Sequence, residues 1–463
     1  MKYSDFVGRK LALTPSDGLT VEPASAGLFD YQDALVRWAL RRGRAAIFAD
    51  TGLGKTRMQI SWAAAVTAAT GGDVLILAPL AVAAQTAAEA ASVGIPIKLC
   101  RSGEDVEPGI NITNYDRLHL FDASRFVGVV LDESSIIKHH TAKTLQALLD
   151  AFGKTPYRLC ATATPAPNDW TELGTHAEFL GICTRTEMLS EYFVHDGGET
   201  QVWRLKGHAR QQFWKFVSTW GAMVRNPADL GFDGSRLLLP PLNMHEHLLE
   251  SDMAEAQEMG FLFPVQAGDL MERRKAKKAS IESRVQACAA HVNGTDQPFL
   301  VWCDLNDEAD ALRAAIPDAV EIRGSDDIDT KEQRLMDFVN GRIRVLVTKA
   351  KIAGWGLNFQ HCNQMAFVGV TDSYESYYQA IRRCWRFGQK RPVDVHLYVS
   401  EAEGSVMANL KRKEAEAQEM ARQLSAETRE SVMSELMGQQ RRTNEYNATR
   451  RVELPAWIRS EAA

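Results

Sequence analysis

The sequence predicts an α/β chain with two parallel-sheet domains in tandem. Its 463 residues are too many for one ordinary hydrophobic core, which indicates at least two domains. Short apolar runs alternate with helix-like segments through residues 45–165, and a second alternation begins at residue 298. Runs of this kind, joined by helical crossovers, are typical of parallel sheets. The paired prolines of LLLPPL (237–242) end regular structure and indicate a linker between the two patterns.

Each predicted strand is an apolar run of a few residues. In the first half the strands are AAIFA (45–49), DVLILAP (73–79), GINITNY (109–115), GVVLDE (128–133) and YRLCATATP (157–165). In the second half they are PFLVWCD (298–304), AVEIRG (319–324), IRVLVTK (343–349), QMAFVGV (364–370) and DVHLYVS (394–400). Functional groups in parallel sheets collect at the carboxyl ends of strands, where these runs become polar.

Between and after the sheets the sequence favours helix. We predict a first domain at 1–174, a helical insertion at 175–240 and a linker with a helical segment at 241–290. A second domain at 291–405 and a C-terminal helical extension with tail at 406–463 complete the chain. The aromatic residues of the insertion are expected to form a helical core.

Composition narrows the classes of function. The net charge is −6, from 53 basic and 59 acidic residues, so the chain does not coat nucleic acid by bulk positive charge. No run of eighteen apolar residues and no apolar N-terminal signal core occur, which predicts a cytoplasmic protein that does not contact membranes. The seven cysteines are scattered singly, and the sequence therefore predicts neither disulfides nor a zinc site.

The stretch ADTGLGKT (49–56) follows a predicted strand and precedes a helix. This context favours a phosphate-binding loop over a glycine turn that happens to precede Lys-Thr. Two glycines let backbone N–H groups surround phosphate oxygens, Lys55 reaches the outer phosphates, and the Thr56 hydroxyl suits Mg²⁺. Ala49 stands where the strict pattern has glycine. We expect phosphate binding by Thr51, Gly52, Leu53, Gly54, Lys55 and Thr56.

Two further strand ends carry polar residues. GVVLDESS (128–135) ends in Asp132, which suits Mg²⁺, and Glu133, which suits the orientation or deprotonation of a water molecule. Alternatively, such acids merely cap a helix, but the phosphate loop upstream favours catalysis. Thr162 and Thr164 of ATATP (161–165) are common strand residues, and only their position after the acidic pair makes them informative.

Taken together and in order, these motifs resemble those of superfamily-two helicases, and among them the SWI/SNF-like DNA translocases. The resemblance covers about residues 28–412. It includes LFDYQ (28–32), ILAPLAVAAQ (76–85), ITNYDRL (112–118), VVLDESSIIKHHTAKTLQAL (129–148), RLCATATPAPNDWTELGTHAEFL (158–180), KAKIAGWGLNF (349–359) and QAIRRCWRFGQ (379–389).

The resemblance implies two RecA-like domains that bind ATP and Mg²⁺ between them. It implies that Gln32 reads adenine, that Thr56 and Asp132 hold the metal, and that Arg383 and Arg386 reach the γ-phosphate from the second domain. It also implies coupling roles for Thr162, Thr164 and Gln379, and nucleic-acid contacts by Pro79, Thr113, Asn114 and Gly354.

The chain departs from the family pattern in several places. Ser134 and Ser135 follow the acidic pair where Ala or Gly and then His are usual. Arg382 stands where Asp is common, Trp385 where His is common, and Ala353 replaces the first glycine of a pair. These departures leave Arg382 without an assigned role.

The resemblance implies an ATP-dependent motor on double-stranded DNA, of a compact bacterial or phage-borne type that remodels replication or recombination intermediates. Two alternatives stay open: a strand-separating helicase acting on DNA or RNA, and a nucleotide-switched DNA-binding adaptor without motor activity. The basic cluster ERRKAKKAS (272–280) is either part of a DNA track or a solvated helix face.

Overall fold

The computed structural model contains two parallel β-sheets, each covered by helices. It describes residues 18–24, 27–79, 82–195, 203–249, 278, 280–353, 358–371, 373–400 and 404–436. The prediction of two α/β domains in tandem is confirmed.

The first sheet has seven strands, which run parallel in the order β3-β4-β2-β5-β6-β1-β9. A separate antiparallel hairpin is formed by β7 and β8. The central strands are buried on both faces, which explains their continuous apolar sequences. The nine strands are β1 (Arg44–Ala49), β2 (Asp73–Ala78), β3 (Lys98–Leu99), β4 (Ile110–Asn114), β5 (Phe126–Asp132), β6 (Tyr157–Ala161), β7 (Phe193–His195), β8 (Trp203–Leu205) and β9 (Gly221–Val224).

Helices cover both faces of this sheet. They are α1 (Asp30–Arg42), α2 (Lys55–Thr70), α3 (Ala83–Ser92), α4 (Lys143–Phe152), α5 (Leu173–Phe179), α6 (Arg185–Tyr192) and α7 (Arg210–Ser218). The last three form the predicted helical insertion. Its aromatic side chains pack on one another, with Phe213 and Trp214 completely buried, so the expected helical core is present.

The second sheet has six parallel strands in the order β10-β15-β14-β11-β13-β12. They are β10 (Leu242–Leu249), β11 (Phe299–Cys303), β12 (Ala319–Ile322), β13 (Val345–Lys349), β14 (Gln364–Val368) and β15 (Val393–Ser400). Its helices are α8 (Ile281–Asn293), α9 (Asn306–Ala315), α10 (Ile328–Val339), α11 (Ala350–Ala353) and α12 (Tyr374–Ile381).

Two predicted domain boundaries differ from the strand pairing in the structure. The strand β9 lies within the predicted insertion, yet it pairs with β1 at the edge of the first sheet. The strand β10 places the start of the second sheet at residue 242 and not at 291. Its sequence, LNMHEHLL, is polar and mostly exposed because it is an edge strand, so it lacks the apolar run that identified the other strands.

One long helix, α13 (Gly404–Leu436), connects the two domains. Near its start its side chains belong to the second domain's core, and further along they belong to the first domain's core. The Thr428 hydroxyl accepts a hydrogen bond from the Met223 N–H of β9 at 3.0 Å, and Trp38 donates to Ser431 at 3.3 Å. The predicted C-terminal helix therefore ties both sheets together.

Within the described parts of the chain, none of the helices combines the length and the apolar character needed to cross a membrane.

Candidate active site at the domain interface

The phosphate loop connects β1 to α2 and requires glycine at two positions. Gly52 has φ 90° and Gly54 has φ 73°, a region that residues with a Cβ rarely adopt. Space is limited too, because a Cβ on Gly54 would lie 2.3 Å from the Gln32 amide nitrogen. Gly54 directly precedes the first turn of α2, whose N–H groups have no acceptor within the helix. The loop and this positive helix end fit a phosphate group.

The side chains of Gln32 and Tyr31 form hydrogen bonds with the phosphate loop. The Gln32 side-chain amide donates to the Leu53 carbonyl at 2.9 Å, and the Tyr31 hydroxyl donates to the same oxygen at 2.8 Å. The Gln32 side-chain oxygen accepts from the Phe29 N–H at 2.9 Å. Gln32 therefore lies beside the loop and fixes its shape, while adenine recognition by this residue stays a prediction.

The acidic pair lies at the carboxyl end of β5. Asp132 is buried, and its carboxylate accepts from the Gln59 amide at 2.6 Å. Burial and the adjacent charge of Glu133 raise the pKa of Asp132 to about 6. The charge of Lys55 lowers this pKa. The Lys55 ammonium itself donates a hydrogen bond to the Ala49 carbonyl at 3.0 Å. A buried carboxylate beside the loop fits Mg²⁺, with the Thr56 hydroxyl as the second predicted ligand.

Glu133 has a left-handed backbone, with φ 49° and ψ 53°. No other non-glycine residue in the described ranges has a positive φ. Such a conformation costs about 1–3 kcal/mol and persists at sites where the position of a side chain matters. The Thr162 hydroxyl donates to the Glu133 carboxylate at 3.4 Å and accepts from the Thr164 N–H at 3.2 Å. Thr162 therefore contacts the predicted catalytic acid, and Thr164 contacts Thr162.

The structure brings the two predicted arginines to the first domain. Burial and Arg386 lower the pKa of Arg383 to about 10, whereas the charge of Glu133 on the first domain raises it. Burial also lowers the pKa of Arg386, and Glu89 of α3 opposes that shift. Each guanidinium group is therefore near enough to an acidic residue of the first domain to interact with its charge, and the action of both arginines on a phosphate stays a prediction.

Arg382 has a partner that the sequence did not reveal. Its guanidinium forms an ion pair with Asp50, the residue before the phosphate loop, and the side chains are only 3% and 7% exposed. The Tyr378 hydroxyl donates to the same carboxylate. The Arg382 guanidinium also lies 4.3 Å from the centroid of the Trp385 ring. A basic residue replaces the acidic one usual in the family, and a buried carboxylate on the opposite domain balances it.

Further contacts join the two domains. A Cβ on Gly52 would lie 3.1 Å from the Phe387 backbone nitrogen, so the loop is in van der Waals contact with the second domain. Lys138 forms an ion pair with Glu375 of α12, and Trp385 donates to the Pro240 carbonyl at 2.7 Å. A cavity of about 190 Å³ lies between the domains and is lined by residues that include Thr51, Gly52, Leu53, Arg382, Trp385 and Phe387.

The Asp50–Arg382 pair yields a testable prediction. Arg382→Gln or Asp50→Asn leaves one buried charge uncompensated, and each is expected to lower the free energy of unfolding by about 3–5 kcal/mol. The double variant is expected to cost no more than the worse single variant, because both charges leave together. Urea unfolding measures all three.

The matched control is Lys411→Gln, which breaks the exposed ion pair with Glu246. It is expected to change the free energy of unfolding by less than about 1 kcal/mol. Additive losses in the Asp50→Asn/Arg382→Gln variant would contradict the assigned pairing.

A buried histidine, His176, contacts Ser134, the residue that follows the acidic pair. The His176 Nε2 lies 3.1 Å from the Ser134 hydroxyl, and the ring is completely buried. Burial lowers the pKa of His176 to about 4. Ser134, one of the departures from the family pattern, therefore contacts a neutral imidazole.

His176 is expected to make stability depend on pH. In the unfolded chain the imidazole takes up a proton below about pH 6.5, whereas in the folded protein it stays neutral down to about pH 4. Its contribution is present above pH 6.5 and is lost as the pH falls towards 4, by up to about 3 kcal/mol. Urea unfolding from pH 7.5 to 4.5 should give a shallower pH dependence for His176→Gln, and parallel curves would contradict this assignment.

The other predicted residues are placed as follows. Gln379 is half-buried on α12, next to Tyr378. Pro79 follows β2, and Thr113 and Asn114 end the neighbouring strand β4. Thr113 is 1% exposed, and the Asn114 side chain accepts from the Arg117 N–H at 3.2 Å, so nucleic-acid contacts by these residues stay a prediction.

Gly354 lies outside the described residues, as does most of the basic cluster 272–280. Within that cluster the Lys278 ammonium lies 3.4 Å from the Asp307 carboxylate, and both side chains are exposed.

Sequence reasoning missed several residues of the site. Asp50 and Tyr378 meet only across the domain interface, and Gln59 reaches Asp132 from α2. The Tyr115 hydroxyl donates to the Asp132 carbonyl at 2.6 Å. Asp50 lies in ADTGLGKT and Tyr115 in ITNYDRL, but the motifs gave no role to either residue, and Gln59 and Tyr378 lie outside the motifs.

Comparison with known proteins gives one family match and a structural likeness. Residues 283–388 match the helicase conserved C-terminal domain family, and this segment includes both predicted arginines. The chain also resembles the solved structure of the Sulfolobus solfataricus SWI2/SNF2 ATPase core in complex with dsDNA. That match has 16% identity and a TM-score of 0.41, and covers 88% of this chain and 99% of the other. No curated protein matches the chain significantly.

The first sheet thus carries a phosphate loop and an acidic pair, and residues 283–388 of the second domain match a helicase domain. The match agrees with the predicted resemblance to helicases over that segment, and the superfamily-two, SWI/SNF-like type belongs to the proposal that follows.

Proposed function

We propose that the protein is an ATP-dependent translocase on double-stranded DNA, of the SWI/SNF-like type. The observation that supports the ATPase part of the proposal is the contact between the two domains at the phosphate loop, where Arg382 pairs with Asp50 and Phe387 lies against Gly52. Two halves of one active site on two domains mean that catalysis requires closure. The choice of duplex DNA rests on the resemblance of the motifs, from LFDYQ to QAIRRCWRFGQ, to those of DNA translocases.

Each residue of the site has a different role in hydrolysis. The loop backbone and Lys55 bind phosphate oxygens, and Thr56 and Asp132 would hold Mg²⁺, which neutralises phosphate charge when bound. Glu133 is positioned to orient a water molecule and accept its proton. Arg383 and Arg386 are positioned to stabilise the charge that develops on the transferred phosphoryl group.

Closure and opening of the domains link this chemistry to movement. The buried Asp50–Arg382 pair joins the phosphate loop to the arginine motif in the closed arrangement. Thr162 and Thr164 connect Glu133 to the adjoining strand end. Repeated closure changes the distance between the outer surfaces of the two domains. On a DNA backbone such changes produce translocation with little sequence specificity, because phosphate contacts carry no sequence information.

The protein is expected to act in the cytoplasm of a bacterium, encoded by the host or by a phage, on replication or recombination intermediates. Its type is tested by triplex displacement on blunt-ended duplex DNA, compared with unwinding of forked DNA. A translocase displaces the third strand without opening forks. Fork opening without displacement would indicate a strand-separating helicase.

A further inference from the structure

Three histidines that are distant in sequence meet in the second domain. They are His247 on β10, His291 on α8 and His396 on β15, and one ring nitrogen from each lies within 4.8 Å of those of the other two. None of them belongs to the ATP site described above. Single histidines scattered through a sequence carry no metal-binding signature, which is why sequence analysis predicted no zinc site.

The sheet register creates this cluster. In the parallel pair of β10 and β15, His245 lies opposite His396, and His247 lies opposite Tyr398. Side chains two residues apart on a strand share a face, so all four rings project from the same side of the sheet. The helix α8 packs on that side and adds His291, whose ring lies 4.2 Å from that of His396. Two strands and one helix therefore contribute one ligand each.

The distances suit a shared ion. The His247 Nε2 and His396 Nδ1 lie 3.1 Å apart. Two nitrogens that each lie 2.0–2.1 Å from one tetrahedral Zn²⁺ are about 3.3 Å apart. The third nitrogen is within 4.8 Å of both, so all three are near enough to approach one ion.

Neighbouring groups orient the rings. The Tyr398 hydroxyl lies 2.8 Å from the His291 Nδ1, which leaves the Nε2 of that ring for coordination. The His245 Nε2 lies 3.1 Å from the Asp394 carboxylate, and its ring stacks on that of His396. Metal-binding histidines commonly have their second nitrogen fixed in this way by a hydroxyl, carboxylate or carbonyl group.

We propose that His247, His291 and His396 form a binding site for one divalent transition-metal ion of the Zn²⁺ class. Three imidazoles favour such an ion over Mg²⁺ or Ca²⁺, which prefer oxygen ligands, so the site is separate in kind from that of the ATPase. A fourth position is left for water or for His245. The bound ion would fasten the exposed edge strand β10 to β15 and α8, directly after the interdomain linker. This inference does not depend on the proposed function.

The test uses the full-length protein after removal of metals with a chelator. Titration with Zn²⁺ alone against a chromophoric chelator should show one ion per chain. His291→Gln should weaken binding by about 100-fold or more, and Tyr398→Phe by about 10–100-fold. His119→Gln, which changes an exposed histidine of the first domain, should bind like the wild type. Addition of Co²⁺ alone should give the visible absorption of a tetrahedral nitrogen site.

Circular dichroism and ATPase activity of His291→Gln show whether the variant folds, since this half-exposed position tolerates change better than buried His396. Loss of Zn²⁺ binding in a folded His291→Gln variant supports the site. Equal binding by wild type and His291→Gln, or no stoichiometric binding by the wild type, would overturn it. The three histidines would then be a hydrogen-bonded packing arrangement.

Discussion

Glu133→Gln is expected to lower the ATPase kcat by about 10²–10⁴-fold while nucleotide binding is retained. Glutamine keeps the size of the side chain and its contact with Thr162, but it cannot accept a proton from water. The Glu133 backbone is left-handed, and the charge of its carboxylate acts on Arg383 of the other domain. Steady-state phosphate release gives kcat, and fluorescent-nucleotide titration gives the affinity.

A control separates this role from a general effect of lost charge. Asp150→Asn changes an exposed acid near the end of α4 whose carboxylate accepts a hydrogen bond from the Gln146 side chain. Its kcat is expected to equal that of the wild type. If Glu133→Gln kept more than a tenth of the wild-type kcat, another group would have to be the base.

Removal of the arginines is expected to have a still larger effect. Arg386→Ala and Arg383→Lys should each lower kcat by about 10³–10⁵-fold, with a much smaller change in KM. Their guanidinium groups act on charge that develops in the transition state, and lysine cannot reproduce the planar fork of arginine. Single-turnover kinetics with saturating ATP would measure the chemical step directly.

Lys390→Ala is the matched control, because Lys390 is an exposed cation of the same segment. Its kcat should stay within about twofold of the wild-type value. A fall in KM and kcat together for Lys390→Ala, or a loss of less than tenfold for Arg386→Ala, would contradict the division of roles. Because Arg383 is buried, its lysine variant needs a check of folding by circular dichroism.

The sequence predicted the buried strands well for a physical reason. A strand covered on both faces must be apolar throughout, and loops that bind phosphate need glycine and lysine at fixed spacing. The strands β1, β2, β5, β11 and β13 meet the first condition, and their bounds agree with prediction to within a few residues.

Features that depend on the third dimension could not be predicted. The strand β10 is an edge strand with a polar sequence, so its pairing with β15 is decided by the rest of the sheet. Arg382 finds Asp50 only when the two domains meet, and sequence distance gives no sign of that contact. His247, His291 and His396 likewise converge through register and helix packing and not through spacing.

The closed arrangement explains why the arginine segment has so many charges. Arg382 is paired with Asp50 within the protein, and the charges of Glu133 and Glu89 on the first domain act on Arg383 and Arg386. A cluster that looks uniformly basic in the sequence therefore contains one arginine with a structural partner and two that we propose act at the nucleotide site.

The central proposal, that hydrolysis between the domains drives movement on duplex DNA, is tested most directly by ATPase rates with different nucleic acids. Wild-type turnover should rise strongly with duplex DNA and much less with single-stranded DNA or RNA. The stimulation should weaken steeply as salt rises from about 50 to 200 mM, because phosphate contacts dominate binding. Turnover that is unaffected by duplex DNA at either salt concentration would contradict the account.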